Sequence, residues 1–214
     1  MRKRFDQQLE ELNQEMQEMG RMVEDAIQKA IEALLKQDAK AAQAVMEADT
    51  FVDQKQKEIE SICFTLLMQQ QPVASDLRII SAALKMVTDM ERIGDHAADI
   101  SEMTLHLARE PYIKNLEHIR LMATETAWML LQSIEAYVEK DIKKASGVIA
   151  HDDIVDELFA DTKKELIELI HKDKNNGEQA ADLLMVAKYF ERIGDHAVNL
   201  SEWVIFSIDK RPRG

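Results

Sequence analysis

Apolar residues recur every three or four positions over long stretches of this 214-residue chain, which is the spacing of amphipathic helices. The first stretch predicts a helix from about Lys3 to Gln37. A second helix follows Asp38 and is expected to stop at Pro72, because proline cannot continue helical hydrogen bonding. The seam of the first helix is expected to face partner helices and consists of Phe5, Leu9, Leu12, Met16, Met19, Val23, Ala30 and Leu34.

The same plan is repeated after Pro111, which is expected to end the first half. Asp38 is a candidate cap for the second helix and Ser75 for the third, and Asp141 is expected to open the fifth. Asn175-Asn176-Gly177 predicts a turn before the sixth helix. The pattern therefore favours an all-α chain of two tandem three-helix bundles, residues 1–110 and 111–214.

A seven-residue segment, Glu-Arg-Ile-Gly-Asp-His-Ala, occurs at positions 91–97 and again at 191–197. The match extends to Ser101-Glu102, which recurs as Ser201-Glu202. A repeat at a fixed offset indicates duplication of one structural unit. What both halves keep is an acidic helical motif.

This motif is expected to place several carboxylates on one helix face. With Glu91 as zero on a wheel of about 100° per residue, Asp95 lies at about 40°, Asp99 at about 80° and Glu102 at about 20°. Leu84 and Ala98 lie on nearly the same line. We therefore expect the acidic line to continue an apolar one. Glu191, Asp195 and Glu202 repeat the arrangement in the second half.

The second helix of each half offers further carboxylates at i, i+4 spacing, Asp49 with Asp53 and Asp152 with Asp156. In an antiparallel hairpin, Asp53 and Glu91 would both stand about 25 Å from the turn at 1.5 Å per residue. The two acidic pairs can therefore meet at one level. In the second half, the distances of Asp156 and Glu191 from the turn at Asn175–Gly177 agree less closely.

Four carboxylates in close apposition repel one another unless cations compensate them. Two metal ions bridged by carboxylates would solve this problem, and hard oxygen ligands suit iron, manganese, magnesium or calcium, with zinc as an alternative. Basic side chains are the other source of compensation, and Arg92 and Arg192 are expected to brace the site or form an interface. His96 and His196 lie off the acidic face, which favours hydrogen-bonded packing over metal ligation.

Gly94 and Gly194 lie in the middle of their helices, where glycine costs about 1 kcal/mol relative to alanine. Close helix approach or room for a bulky cluster would explain that cost.

Composition narrows the class of protein. The formal net charge of −13 argues against nucleic acid as a partner. Cys63 is the only cysteine and lies among apolar residues, which indicates a buried thiol rather than a metal ligand. The first residues are basic, but acidic residues follow them where a signal peptide would have an apolar segment, so we do not expect a signal peptide. No apolar run in the sequence is long enough to span a bilayer. We expect a cytoplasmic protein.

The doubled motif, its paired Asp-x-x-x-Asp segments and the segment Pro72-Val73-Ala74-Ser75-Asp76-Leu77-Arg78 resemble the PhoU family of phosphate-specific transport accessory proteins. The resemblance covers nearly the whole chain. It implies two three-helix bundles that each carry a multinuclear metal cluster, most often of iron, and a homodimer. It also implies negative regulation of phosphate uptake, through contacts with the ATPase subunit of a phosphate ABC transporter and with a sensor histidine kinase. Membrane association would then be indirect, through these partners.

Carried onto this chain, the family's metal ligands are Asp49, Asp53, Glu91 and Asp95 in the first half and Asp152, Asp156, Glu191 and Asp195 in the second. Asn199 stands where the first half has Asp99, so the second cluster is expected to lose one charge. Only the first half has the Asp76-Leu77-Arg78 segment, which suggests that the halves contact different partners.

A non-enzymatic adaptor is favoured, because no nucleophile–base pair or phosphate-binding glycine loop is present. The first alternative is a ferritin-like di-metal oxidoreductase, although such bundles use Glu-x-x-His and His96 follows Glu91 by five. The second is a metal-free helical scaffold.

Overall fold

The chain folds as six long α-helices over residues 2–69 and 73–209, which are the residues that the computed structural model describes. All regular structure in these ranges is helical, which confirms the all-α prediction, and none of the helices is long and apolar enough to cross a membrane. Pro72, the predicted stop of the second helix, lies outside the described residues. The helices are α1 Arg2–Lys36, α2 Ala39–Gln69, α3 Ala74–Leu107, α4 Glu117–Glu139, α5 Ile142–Lys172 and α6 Gly177–Ile208, with a 3-10 turn at Lys174–Asn176.

The first connection of each half is built in the same way. Gln37 ends α1 and Lys140 ends α4, and both adopt the left-handed conformation, with φ of 52° and 57°. The aspartate that follows caps the next helix: Asp38 accepts a hydrogen bond from the Ala41 N–H, and Asp141 accepts from two backbone N–H groups of α5. The cap predicted at Asp38 is therefore confirmed, and Asp141 opens α5 as predicted. Equivalent residues of these helices are 103 positions apart.

One local prediction is wrong in detail. The third helix begins at Ala74 rather than after Ser75, because the Asp76 carboxylate accepts a hydrogen bond from the Val73 N–H at 3.3 Å and fixes the residue before the helix. The turn predicted at Asn175–Gly177 is confirmed, as a single 3-10 turn that leads directly into α6. Gly177 has an ordinary helical φ of −59°, so glycine's conformational freedom is not needed there.

The apolar seams of the helices meet in one continuous core. The predicted α1 seam is buried from Phe5 to Leu34, with Leu9 partly buried. Cys63 also lies in this core, and burial raises the pKa of its thiol to about 12. The thiol is therefore a small apolar packing group, as the sequence predicts.

The helices that carry the repeated motif, α3 and α6, pack against each other in antiparallel orientation. Arg78, near the start of α3, donates hydrogen bonds to the carbonyls of Phe206 and Asp209 at the end of α6, and its guanidinium lies 5.3 Å from the Phe206 ring centre. Asp76 is buried, whereas Leu77 is exposed. Two of the three side chains of the Asp76-Leu77-Arg78 segment therefore have structural roles within the chain.

We predict that Asp141→Ala lowers the free energy of unfolding by about 1 kcal/mol, because two N–H groups of α5 lose their acceptor. Asp141→Asn retains a capping oxygen and should stay within a few tenths of a kcal/mol of the parent chain. Urea denaturation followed by circular dichroism measures both variants. Equal losses in the two variants would show that the cap is not the cause.

Candidate metal centres

The hairpin of α2 and α3 brings the first acidic motif together. Asp49 and Asp53 from α2 and Asp95 from α3 each offer a carboxylate oxygen within 4.8 Å of the other two. Glu91, one turn before Asp95, is not part of this tight group, although its side chain is only 18% exposed and its charge acts on Asp49. Three of the four predicted residues of the first half thus converge, with the fourth beside them.

Crowding of these carboxylates makes their ionisation costly. Burial raises the pKa of Asp49 to about 6, and the negative charges of Asp95, Asp53 and Glu91 act in the same direction. Burial, followed by the charge of Asp95, also raises the pKa of Glu91. A cation placed among these oxygens would remove that cost, which is the electrostatic condition for a metal site.

One basic side chain already provides part of this compensation. The Arg92 guanidinium donates to the Asp95 carboxylate at 2.9 Å and lies 3.5 Å from a carboxylate oxygen of Glu91. Arg92 is more than half exposed, so it can be displaced at little cost. It is placed to brace the first acidic cluster, as the sequence suggests.

The second acidic cluster lies between α5 and α6. Its carboxylates occupy the equivalent positions, but their spacing and their counter-charge differ. Burial, followed by the charges of Asp156, Asp195 and Glu191, raises the pKa of Asp152 to about 6. Among the described residues, however, no group of three carboxylates as tight as that of the first half occurs here. The Lys188 ammonium lies 2.5 Å from Glu191 and supplies a counter-charge.

Lys188 is held in place by more than this ion pair, because it also lies 5.4 Å from the centre of the Phe159 ring. The first half has Thr88 and Gln56 at the equivalent positions, so it offers neither the cation nor the ring. The second cluster therefore contains a cation that the first cluster lacks.

The two motif glycines let the aspartates of the neighbouring helix approach the backbone. A Cβ atom on Gly194 would lie 2.9 Å from an Asp152 carboxylate oxygen, and one on Gly94 would lie 3.3 Å from Asp49 and 3.1 Å from Val52. Ordinary side-chain contacts are longer than these distances. Close approach of the helices therefore explains why a helix interior contains glycine at these positions.

One prediction from the helical wheel is wrong. The acidic line of α3 was expected to continue an apolar line through Leu84 and Ala98, but both of these residues are only partly buried, and Glu102 is exposed. The buried line passes through Met90 and Ala97, roughly 100° around the helix. The carboxylates therefore flank the core, because α3 also packs against α1 and α6, and they face outward between α2 and α3.

The motif histidines lie in the contact between α3 and α6, with ring centres 5.7 Å apart. His96 pairs with Asp99 on its own helix, Nδ1 to Oδ2 3.2 Å. His196 instead reaches the other half and pairs with Asp89, Nδ1 to Oδ1 2.8 Å, and Asn199 donates to the same carboxylate oxygen of Asp89. Both histidines are thus hydrogen-bonded packing residues, as expected.

Sequence reasoning missed Asp89 and Lys188. Each lies just before a repeated motif at a position where the halves differ: Asp89 corresponds to Tyr189, and Lys188 to Thr88. The Tyr189 ring lies 5.6 Å from that of His96, on the other side of the seam. A comparison of the halves outside the seven identical residues would have singled out both positions.

Comparisons with known proteins match both halves of the chain. The family model described as the PhoU domain matches twice, at residues 16–104 and 119–204, which are the two halves. A phosphate-specific transport system accessory protein PhoU homolog from Clostridium acetobutylicum is 41% identical over 97% of this chain and 95% of its own length. The homolog from Aquifex aeolicus is 37% identical over 86% of this chain and 84% of its own length.

Two solved structures have the same fold. The crystal structure of PhoU from Pseudomonas aeruginosa superimposes with a TM-score of 0.90 at 30% identity, over 95% of this chain and 98% of that one. The PhoU structure from Streptococcus pneumoniae, a phosphate transport system regulatory protein, gives a TM-score of 0.87 at 28% identity, over 95% and 96% of the two chains. A duplicated acidic motif, six helices in two repeats and these matches over nearly the full length lead to one conclusion: the chain belongs to the PhoU family.

Proposed function

We propose that this protein is an accessory protein of a phosphate transport system and acts there as a metal-binding regulatory adaptor. It restrains phosphate uptake and connects the ATPase subunit of a phosphate ABC transporter with a sensor histidine kinase. The observation that carries the metal-binding part is the duplicated carboxylate cluster, in which burial and mutual repulsion raise the pKa of Asp49 and of Asp152. The names of the relatives support the phosphate-transport part.

The donor set fits a hard cation. In the first half, Asp49, Asp53 and Asp95 would hold the metal, with Glu91 completing the set. These ligands are carboxylate oxygens, which suit iron or manganese and also accept magnesium or zinc. A multinuclear cluster would use carboxylates that bridge two ions. The metal's role in this adaptor is to fix the surface between two helices, so that partners meet one conformation.

The two clusters should differ in affinity. Asp99 adds a negative charge beside Asp49, whereas its equivalent in the second half is the neutral Asn199. Arg92 is an exposed and displaceable counter-charge, but Lys188 is held by both Glu191 and Phe159. We expect the first site, from Asp49 to Asp95, to bind divalent metal more tightly than the second.

The oxidoreductase alternative lacks its expected ligands. Di-metal enzymes of helical bundles project Glu-x-x-His into the bundle core. Here the histidine Nδ1 atoms face Asp99 and Asp89 in the seam between α3 and α6, and the acidic residues lie between other helix pairs. Binding of partners rather than turnover is therefore the activity proposed, carried out by a homodimer in the cytoplasm.

We predict that Glu91→Ala combined with Asp95→Ala empties the first site and leaves the second filled. Elemental analysis of protein purified without added metal, and again after reconstitution with iron, manganese or zinc, measures this. The matched variant, Glu191→Ala with Asp195→Ala, should empty only the second site and lose the more weakly held metal. Loss of metal from both halves in either variant would contradict two independent sites, and a metal-free parent chain would contradict metal binding.

A second prediction concerns the stability of the metal-free protein. Asp49 has a folded-state pKa of about 6 against 3.8 as an ordinary aspartate, so stability falls as pH rises from 3.8 to about 6, and the full cost applies above that range. Asp49→Asn should therefore raise the free energy of unfolding by about 1–2 kcal/mol near neutral pH, a range reduced because the group is partly solvated. The gain should disappear near pH 4, where the folded parent chain is protonated.

Urea denaturation in the presence of a chelator measures this gain, and Glu47→Gln, an exposed carboxylate on the same helix, is the control. The same Asp49→Asn variant should bind metal more weakly. Equal stability of parent and variant at neutral pH would mean that the carboxylates of α2 and α3 do not repel strongly.

The regulatory part is tested in cells that lack their own PhoU protein. We expect the parent chain to lower phosphate uptake, measured with labelled phosphate, and to lower expression of a phosphate-starvation reporter. The variant with Asp53, Glu91, Asp156 and Glu191 all changed to Ala should be made in equal amount and fail to do either. Full activity of this variant would separate regulation from the acidic clusters.

A further inference from the structure

The first half carries an apolar groove at a position where side chains stack in the second half. It runs between α1 and α2 beside their connection, has a volume of about 590 Å³, and reaches Asp49 and Val52 at one end. Its floor is formed by small or apolar side chains of both helices, and Phe51, which is 66% exposed, stands at its rim. The same surface therefore presents an exposed aromatic side chain and, next to it, an apolar groove.

The second half fills the equivalent groove with its own side chains. Trp128 stands where α1 has Asp25, and His151 stands where α2 has Ala48. The two rings stack with centres 4.2 Å apart, and Glu125 holds His151 through a 2.6 Å hydrogen bond. The duplicated fold thus shows that this position between two helices accommodates an aromatic side chain.

A lysine closes the other end of the second groove. Lys144, in place of Ala41, bridges Glu135 and Glu139 with Nζ–oxygen distances of 3.0 and 2.7 Å. The rim residue Ile154, the equivalent of Phe51, is exposed, but Trp128 and His151 occupy the equivalent groove positions. The first half therefore combines an exposed aromatic side chain with an open apolar groove.

The charges along the rim of the first groove identify its occupant. Asp25, Lys29, Glu32 and Lys36 lie on one line of α1, spaced by four, three and four residues, with alternating sign. All four are about 60% exposed and pair within their own helix, Asp25 with Lys29 and Glu32 with Lys36. Pairs of this kind are weak, so they can be shared with another molecule.

This charge line is complementary to itself. A two-fold axis between Lys29 and Glu32 places a second α1 antiparallel to the first, so that Asp25 faces Lys36 of the partner subunit and Lys29 faces Glu32 of the partner subunit. An interface of this isologous kind needs one patch that fits its own copy. The equivalent line on α4 is Trp128, Gln132, Glu135 and Glu139, which has no basic member and so offers its copy no ion pairs.

We propose that the groove between α1 and α2 is the homodimer interface and that its occupant is Phe51 of a second copy of this chain. The inference rests on the homodimer of the proposed function and specifies its surface. Insertion of the aromatic ring into the apolar groove supplies affinity, and the alternating charges fix the antiparallel register. Since Asp49 and Val52 form the end of the groove, the first acidic cluster borders the interface and the second does not.

Two variants of opposite charge test the register. Lys29→Glu with Lys36→Glu makes the α1 line entirely acidic, and Asp25→Lys with Glu32→Lys makes it entirely basic. Each variant alone should sediment as a monomer at micromolar concentrations at which the parent chain is a dimer. An equimolar mixture should recover the dimer mass, and this recovery also shows that both variants are folded.

Phe51→Ala tests the role of the inserted aromatic ring and should weaken dimerisation at least tenfold in sedimentation equilibrium. Ile154→Ala, the matched change in the second half, should leave the dissociation constant unchanged. A parent chain that stays monomeric at high micromolar concentration would overturn both the dimer and this interface. A dimer that survives in both single-sign variants, or that weakens equally in Ile154→Ala, would overturn only the interface. Metal content and phosphate uptake are measured separately, so these outcomes leave the adaptor function to its own tests.

Discussion

The antiparallel packing of α3 against α6 is the contact on which the rest of the molecule depends. Both helices carry the repeated motif, and the face of each that enters the shared core determines where its carboxylates point. Because Met90 and Ala97 face inward, Glu91 and Asp95 are left between α3 and α2. The Arg78 guanidinium and the pairing of Asp89 with His196 fix the register of the two helices along the seam. The position of each acidic cluster therefore follows from a contact between the halves, not from its own hairpin alone.

A cluster of negative charges between two helices opposes folding, yet both halves of the chain contain such a cluster. The two halves solve the repulsion in different ways: the first relies on an exposed arginine, and the second on a lysine held against an aromatic ring. Residues that destabilise a fold and persist in it are typical of functional sites. In this protein, the halves share one architecture but have diverged in charge balance, in the groove between their first two helices and in the partners of their histidines. A duplicated chain can in this way present two unlike surfaces.

Most of the fold could be read from the sequence, because long helices with clear apolar seams and a repeat at fixed offset leave few alternatives. The pairing of Asp49 and Asp53 with Asp95 also followed, since hairpin geometry and residue counts place them at one level. Periodicity could not predict which way the acidic face of α3 points, because a helical wheel does not show how many other helices pack around that helix. The roles of Asp89 and Trp128 depend on contacts with other helices, and no spacing within their own helices indicates them. Lys188 pairs with Glu191 on its own helix, but its contact with Phe159 comes from α5 and has no sequence signal. The roles of these three residues became apparent only when the two halves were compared.

The seam between α3 and α6 also has a consequence for synthesis on the ribosome. The chain is synthesised from its N-terminus, so α1, α2 and α3 are complete well before α6, the last neighbour of α3, has been made. During that interval the seam face of α3 is apolar, uncovered and available to chaperones or to another nascent chain. Closure is completed only when Phe206 and Asp209 reach Arg78. The last turn of α6 thus completes the cover of α3, and removing that turn would leave a surface of the first half exposed.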